Sequence, residues 1–341
     1  MMITETLDLQ YRFFVVGKRP LCLWDTNIGQ KNLKFLNSID PSYFEYLCHL
    51  YSHSLNNQDE PTNREAQHAA LALRTAYSQA LETLFALIFA AIQAPYCVPA
   101  WINAYTNREL LDLVEKVQEE KQVTSVLDTE TPSWSDIYDL LFSATNAKDK
   151  AYESSLKDGF IQTWKYFAHD FMDRSSIREY NSIKHGLRVS LGGFKLKLHT
   201  GVLEEPVVPP PQDKMIEVTN SDFGSSYFNS EKIEACHLRL KGELRNWNLE
   251  SLAWGLQLAA MSIANVQSAL KTRETGSPFP FKGPEDLSDF GKWGGLVSLI
   301  ETDVVILPES IHSFTEKEIL SNYKAKRYGG IQGKFLRIPD K

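Results

Sequence analysis

The fold class is decided by residues 62–92, which read TNREAQHAALALRTAYSQALETLFALIFAAI. Apolar residues recur in this stretch every three or four positions, as expected for a helix that turns one face to a core. Thr62 and Glu65 have the spacing of a capping box, and Pro95 ends the pattern. The sequence therefore predicts a long helix over 62–92.

Two other features of this helix bear on its environment. Arg74, Ser78 and Glu82 recur at intervals of four residues, which predicts a solvated or ion-paired row. Residues 83–107 carry no charge, but their continuous apolar core, Leu84–Ile92, is much shorter than the roughly 20 apolar residues of a membrane span. A buried core helix is the preferred interpretation.

Three more helices are predicted before residue 190. One covers Trp134–Phe142, and a longer one over about 151–173 carries an aromatic stripe that core packing explains. The last covers Ser176–His185, where Ser176 and Glu179 have capping-box spacing and Gly186 takes the place of a C-terminal glycine.

Strands are predicted after residue 188. Apolar and polar residues alternate on both sides of Gly192-Gly193, the pattern of a tight hairpin, and Val207–Pro211 is typical of a proline-rich linker. Further elements are expected beyond this linker: strands at Met215–Val218 and 236–240, a helix from Asn248, and a strand within Leu296–Leu307.

These elements predict an α+β protein, mainly α, in which a helical bundle precedes a smaller strand-containing C-terminal region with one long helix. The expected organisation is an unassigned N-terminal region (1–60), a helical bundle (61–190), a hairpin and linker (191–212), and a mixed α/β region with a basic tail (213–341).

Composition narrows the class of protein. The chain has 341 residues, of which 43% are hydrophobic, as in an ordinary globular protein. Its net charge of −7 argues against a protein whose surface binds nucleic acid nonspecifically. Its four cysteines are far apart and no acidic cluster offers a metal site, so no metal or other cofactor is expected. The first residues are acidic and lack a secretory pattern, which predicts a cytoplasmic protein without a membrane span.

The helix over 176–185 carries the candidate chemistry. Arg178, Asn181 and His185 project from one face, and Arg174 would join them if the helix began earlier. A histidine can take or give a proton near neutral pH, and a guanidinium stabilises charge on a phosphoryl group. These groups suit RNA cleavage by attack of a 2′-hydroxyl on its own phosphodiester, without metal.

Arg178, six intervening residues and His185 resemble the Arg-x(4–6)-His signature of HEPN domains, over roughly residues 60–190. The resemblance implies a helical bundle that often dimerises, here a homodimer. It also implies a metal-independent ribonuclease of a toxin, antiphage or RNA-processing system, with Arg178 and His185 as catalytic residues and Asn181 between them.

Basic residues near this helix and in the tail are the candidate RNA contacts: Arg174, Lys184, Arg188, Lys324, Lys326 and Arg327. Glu179, directly after the arginine, differs from the Asn, Asp or His of many active family members. Two other interpretations therefore stay open. Arg178 could pair with an acid on a neighbouring helix while His185 caps the C-terminus of its own helix. Alternatively, the chain could be a non-catalytic interaction protein that docks a protein partner through its C-terminal region.

Overall fold

The computed structural model describes residues 9–56, 64–124, 129–142, 150–199, 215–234, 237–278, 280–284, 286–291, 303–306 and 315–328. The fold is α+β and mainly helical. Its main helices are α1 (Ile28–Ser38), α2 (Ser42–Asn56), α3 (Arg64–Gln93), α4 (Val98–Ala104), α5 (Asn107–Gln118), α6 (Trp134–Phe142), α7 (Lys150–Met172), α8 (Arg174–Lys184), α9 (Leu249–Thr275) and α10 (Glu316–Tyr328). Its strands are β1 (Gln10–Val16), β2 (Arg19–Asp25), β3 (Val189–Leu191), β4 (Lys195–His199), β5 (Met215–Asn220), β6 (Gly224–Glu234), β7 (His237–Asn246) and β8 (Asp303–Ile306).

Helix α3 is the centre of the hydrophobic core. Every residue from Leu84 to Gln93 is buried, because α9 packs along α3 and α2, α5 and α7 contact it from other directions. Helix α9 begins at the capping residue Asn248 and ends before Gly276, whose φ of 70° is easily adopted by glycine. The helical core thus extends beyond the segment 61–190 that the sequence assigned to the bundle.

Helix α3 is also, among the described residues, the one helix long and apolar enough to cross a membrane. Of its most apolar window, 72% is buried inside the protein. This burial is what a core helix requires, the interpretation that the interrupted apolar pattern favours.

The aromatic stripe of α7 packs into the same core, as predicted. Phe160, Trp164 and Phe167 are fully buried. The indole of Trp164 meets that of Trp134 on α6 edge-on, with 6.3 Å between ring centroids, and Phe85 of α3 lies 5.8 Å from Trp134. Contacts of this geometry stabilise aromatic cores beyond the burial of area.

The start of α8 differs from the sequence prediction. The helix begins at Arg174, and its N-cap is Asp173, whose carboxylate accepts a hydrogen bond from the backbone N–H of Ser176. The capping box predicted at Ser176 and Glu179 is wrong, because both side chains are buried against other elements. The helix ends as predicted, with Gly186 at φ 112° after the last turn.

The predicted hairpin across Gly192-Gly193 is also wrong. Strand β3 pairs with β6 in a four-stranded antiparallel sheet of order β3-β6-β7-β8, while β4 pairs with β5 in a separate two-stranded sheet. The N–H groups of Gly192 and Gly193 donate to the carbonyls of Gly224 and Asp222 rather than across a turn. The glycine pair therefore lets two backbones approach each other.

Replacing Gly193 by alanine tests this close approach. A Cβ at this position would lie 2.1 Å from the carbonyl oxygen of Ser221, so the backbone must shift. We expect Gly193→Ala to lower the free energy of unfolding by about 1–3 kcal/mol, measured by urea denaturation. Gly291→Ala is the matched control, because no atom of the described residues lies within 4 Å of its added Cβ. Equal stability of the two variants would contradict the described packing.

Candidate functional site

Helix α8 has a buried face and an accessible face. Ser176, Glu179 and Ile183 are buried, whereas Arg174, Asn181 and Lys184 are exposed and Arg178 is half-buried. The buried face carries two polar residues out of three, so hydrogen bonds as well as apolar contact hold α8 in place.

The buried face of α8 is held by an ion pair with α3. Nε of Arg74 donates to Oε2 of Glu179 at 3.0 Å, and the side chains are 2% and 0% exposed. Arg74 also donates through Nη2 to the Ser176 hydroxyl at 3.2 Å. Arg74, which was predicted to lie in a solvated or ion-paired row with Ser78 and Glu82, is thus ion-paired but buried.

Glu179 joins this ion pair to the sheet. Its Oε1 accepts hydrogen bonds from the Ser225 hydroxyl of β6 and from Nε1 of Trp247, the latter at 2.8 Å. These donors provide hydrogen bonds to the oxygens of the buried carboxylate. Glu179 therefore connects α3, α8 and β6.

A second acid, Asp173, fixes the beginning of α8. Its Oδ2 lies 3.2 Å from Nη1 of Arg245 on β7. Burial raises the pKa of Asp173, but the backbone hydrogen bond of Ser176 and the charge of Arg245 outweigh it, so the pKa lies below its usual range. The carboxylate is charged at neutral pH.

Arg178 pairs with an acid on a strand rather than on a neighbouring helix. Its Nε donates to Oε2 of Glu243 on β7 at 3.1 Å, and its Nη2 donates to the Ser175 hydroxyl at 3.1 Å. Glu243 is almost fully buried and also accepts a hydrogen bond from the Tyr227 hydroxyl at 2.8 Å. The guanidinium is thus fixed in place while one third of the side chain stays exposed.

His185 lies at the exposed C-terminal end of α8. It is the C-cap residue, and its backbone N–H donates to the Asn181 carbonyl at 3.0 Å. After Gly186, Leu187 has a φ of 51°, an uncommon value for a residue with a Cβ, and its side chain is 64% exposed. The imidazole is therefore presented at a surface turn rather than in an apolar core.

The remaining residues predicted around the site lie on the same surface segment. Arg174, Lys184 and Arg188 are exposed, and Lys184 approaches Glu82 at 3.8 Å. Between 174 and 188 the sole acidic residue is the fully buried Glu179, so every charge that this segment exposes is positive. Lys324, Lys326 and Arg327 lie on α10, but their side chains fall outside the described parts of the chain.

A cavity of about 240 Å³ lies beside α8 and was missed by the sequence analysis. Its lining comes from α3, α5, α7 and α8, including Arg74, Arg108, Asp170, Tyr180 and Asn181. No sequence pattern points to this cavity, because its lining forms only when four helices that are separate in the chain pack together.

No group of three or more His, Cys, Asp or Glu side chains among the described residues is placed to hold a metal ion. Of the cysteines, Cys48 and Cys97 are buried free thiols and Cys22 is an exposed one. Cys236 lies outside the described residues. The polar side chains on the accessible face of α8 and at its C-cap include the guanidinium of Arg178, the amide of Asn181 and the imidazole of His185.

Removing the charge of Glu179 tests the anchoring of α8. In Glu179→Gln the buried Arg74 keeps its charge but loses the nearer of its two acids, and only Asp170 at 3.9 Å remains, so we expect the free energy of unfolding to fall by about 3 kcal/mol in urea denaturation. The control is Asp139→Asn, which breaks the exposed Lys157–Asp139 pair and should cost less than about 1 kcal/mol. Equal losses in the two variants would contradict a structural role for the buried pair.

The charge of Asp173 gives a pH-dependent prediction. Because its pKa is lowered in the folded state, its charge contributes stability above the ordinary aspartate pKa of about 3.9, and this contribution is lost as the pH falls through the folded pKa. Asp173→Asn should lower the urea midpoint at pH 7, and the difference from the unmodified chain should shrink in acid. A difference that stays constant down to about pH 3 would rule out this linkage.

No family model matches the chain, and neither a curated protein nor a solved structure shows significant similarity to it.

Proposed function

We propose that the protein is a metal-independent endoribonuclease of the HEPN type that binds RNA phosphates on the exposed face of α8. One observation carries the proposal: Arg178, Asn181 and His185 share the accessible face of a helix segment whose exposed charges are all positive. Positively charged surfaces bind the phosphate groups of RNA, and this contribution to the affinity does not depend on the base sequence.

The geometry of Arg178 is compatible with phosphate binding. A guanidinium has five N–H donors, and Glu243 and Ser175 receive hydrogen bonds from Nε and Nη2. The other donors can meet phosphate oxygens on the exposed side. Because Glu243 and Ser175 hold the group in one orientation, little side-chain entropy is lost when phosphate binds.

The reaction needs one base, one acid and a stabilising cation. A neutral His185 accepts the proton of the 2′-hydroxyl while the 2′-oxygen attacks phosphorus. The bond between phosphorus and the 5′-oxygen then breaks, a protonated imidazole gives its proton to that oxygen, and a 2′,3′-cyclic phosphate forms. Arg178 stabilises the charge on the phosphoryl oxygens, and Asn181 orients the strand between the two groups.

A homodimer supplies the two imidazoles that this reaction needs. Along one helix, seven residues separate Arg178 from His185 by roughly 10 Å. At this distance the two side chains of one copy would have to extend towards each other to act on the same phosphate. Two α8 faces packed about a twofold axis bring the Arg178 of one copy near the His185 of the other. Leu187, 64% exposed beside His185, is an apolar group that such packing would cover.

RNA cleavage in EDTA tests the proposal. The purified chain should cut single-stranded RNA to fragments ending in a cyclic phosphate and leave the matching DNA intact, since DNA lacks the 2′-hydroxyl. His185→Ala should lower the rate by about 10²–10⁴-fold, as expected for the loss of a general acid–base group. His49→Ala, which removes an exposed histidine of α2, is the control and should cut like the unmodified chain. Equal cleavage by His185→Ala would make the assignment wrong.

The Arg178–Glu243 pair favours a second candidate, a non-catalytic interaction protein. The buried carboxylate of Glu243, 3.1 Å from Arg178, reduces the positive charge that Arg178 can offer to phosphate. Glu179 is fully buried and cannot contact a substrate on the surface. This candidate predicts a chain that leaves every RNA intact, both in EDTA and in a separate buffer that contains divalent metal and no EDTA. Its C-terminal strands would then contact a protein partner.

A further inference from the structure

The cavity beside α8 has an apolar wall that suits a flat ring. Its lining includes the side chains of Tyr77, Leu81, Leu110, Leu111, Phe171 and Ile177. Its volume of about 240 Å³ is below the roughly 300–1,000 Å³ of sites for drug-sized ligands, so one small ring system fits it better than a larger molecule.

An acid lies among the polar groups of the cavity. Asp170 Oδ1 accepts a hydrogen bond from the Ser176 hydroxyl at 3.0 Å, and Oδ2 lies 3.9 Å from Nη1 of Arg74, beyond hydrogen-bond distance. A carboxylate can accept about four hydrogen bonds, and the side chain of Asp170 is 27% exposed, so it can accept more from a ligand.

The charge at this end of the cavity favours a ligand that donates hydrogen bonds. Arg74 faces two carboxylates, Glu179 at 3.0 Å and Asp170 at 3.9 Å. The only other cation within this group of ion pairs, among the described residues, is Arg245, which lies 3.9 Å from Glu179 and 3.2 Å from Asp173, so three acids are matched by two guanidinium groups. The carboxylate of Asp170 therefore adds negative charge in a place that is partly shielded from water. Two neighbouring N–H groups on one edge of a ring would satisfy it in a bidentate manner.

Tyr180 provides a neutral polar group in the same lining. Burial, with the nearby charge of Glu82, raises the pKa of Tyr180 to about 12, so its hydroxyl stays protonated at neutral pH. The ring of Tyr180 also lies 5.5 Å from the ammonium group of Lys184. The tyrosine thus connects the cavity to the cationic surface of α8.

The mouth of the cavity is polar and carries a positive charge. Asn107, Arg108 and Asn181 line it and are exposed. Arg108 is placed to contact a phosphate outside the cavity. Asn181 belongs both to this mouth and to the face of α8 that carries Arg178 and His185, so a strand bound on that face passes the opening.

We infer that the cavity binds one unstacked guanine base of an RNA strand, with the N1–H and N2–H₂ edge of the base donating to Asp170 and its ring packed between Tyr77, Phe171 and Ile177. This inference rests on the proposed RNA binding by α8. Proteins that read RNA sequence take unstacked bases against aromatic side chains and bind their Watson–Crick edges, as this cavity allows. Adenine and cytosine each offer one amino group beside an acceptor, which a carboxylate repels, and uracil offers one N–H between two acceptors.

Nucleotide binding, measured by calorimetry on the full chain in EDTA, tests the cavity apart from cleavage. GMP should bind at least about tenfold more tightly than AMP, CMP or UMP, because the wrong edges leave buried polar groups unpaired. Asp170→Asn should lower the GMP affinity by about tenfold to hundredfold. Leu111→Trp, which fills the cavity from its half-buried wall, should abolish binding, and Asp139→Asn on α6 should leave it unchanged.

A short RNA with one guanosine in a run of uridines, compared with uridines alone, identifies the source of the base. If the guanosine increases the affinity for RNA, and Asp170→Asn abolishes this increase, the result supports an RNA base as the ligand of the cavity. GMP binding without such a gain assigns the cavity to a free nucleotide and overturns the inference. Equal binding of all four nucleotides and both RNAs overturns it even if the chain cuts RNA. Guanine-selective RNA binding by a chain that cuts nothing retains the cavity and rejects the nuclease.

Discussion

Two opposite charges removed from water, Arg74 and Glu179, determine how the helical and strand-containing parts of the protein meet. Either charge alone in this position would cost several kcal/mol of solvation, whereas together they satisfy each other and recruit Ser176, Ser225 and Trp247. Helix α8 can therefore take one orientation, with Ser176 and Glu179 inward. The outward direction of Arg178, Asn181 and His185 follows from that constraint.

The same constraint explains why the candidate chemistry and the candidate base cavity are neighbours. Arg74 contacts Glu179 on one side and lines the cavity on the other, where Asp170 approaches it at 3.9 Å. A ligand beside Asp170 would change the field around the buried pair, and α8 is the element that this pair holds. Arg74 is thus a charged group common to the contacts that hold α8 and to the wall of the cavity.

What could be predicted from the sequence was local. The bounds of α6 and the common face of Arg178, Asn181 and His185 follow from the period of a helix, which needs no knowledge of neighbours. The partners of these residues could not be predicted, because Arg74 and Glu179 are 105 residues apart and Arg178 and Glu243 are 65 apart. The hairpin prediction at Gly192-Gly193 was wrong because glycine permits both a tight turn and close contact of two backbones. The sequence does not show that the backbone of Ser221 lies against Gly193 in the fold. The cavity needs four helices at once and has no sequence pattern.

The packing of α9 along α3 has a consequence for synthesis on the ribosome. The most apolar part of the chain, Leu84–Ile92, is complete long before residues 249–275 are made, yet Arg273 donates to the carbonyl of Ala91 across a separation of 182 residues. Until α9 emerges, the nascent chain lacks the surface that covers this helix. Contacts of such long range slow folding and leave apolar surface exposed in intermediates. The growing chain therefore carries this apolar surface until residues 249–275 have been added and the core can close.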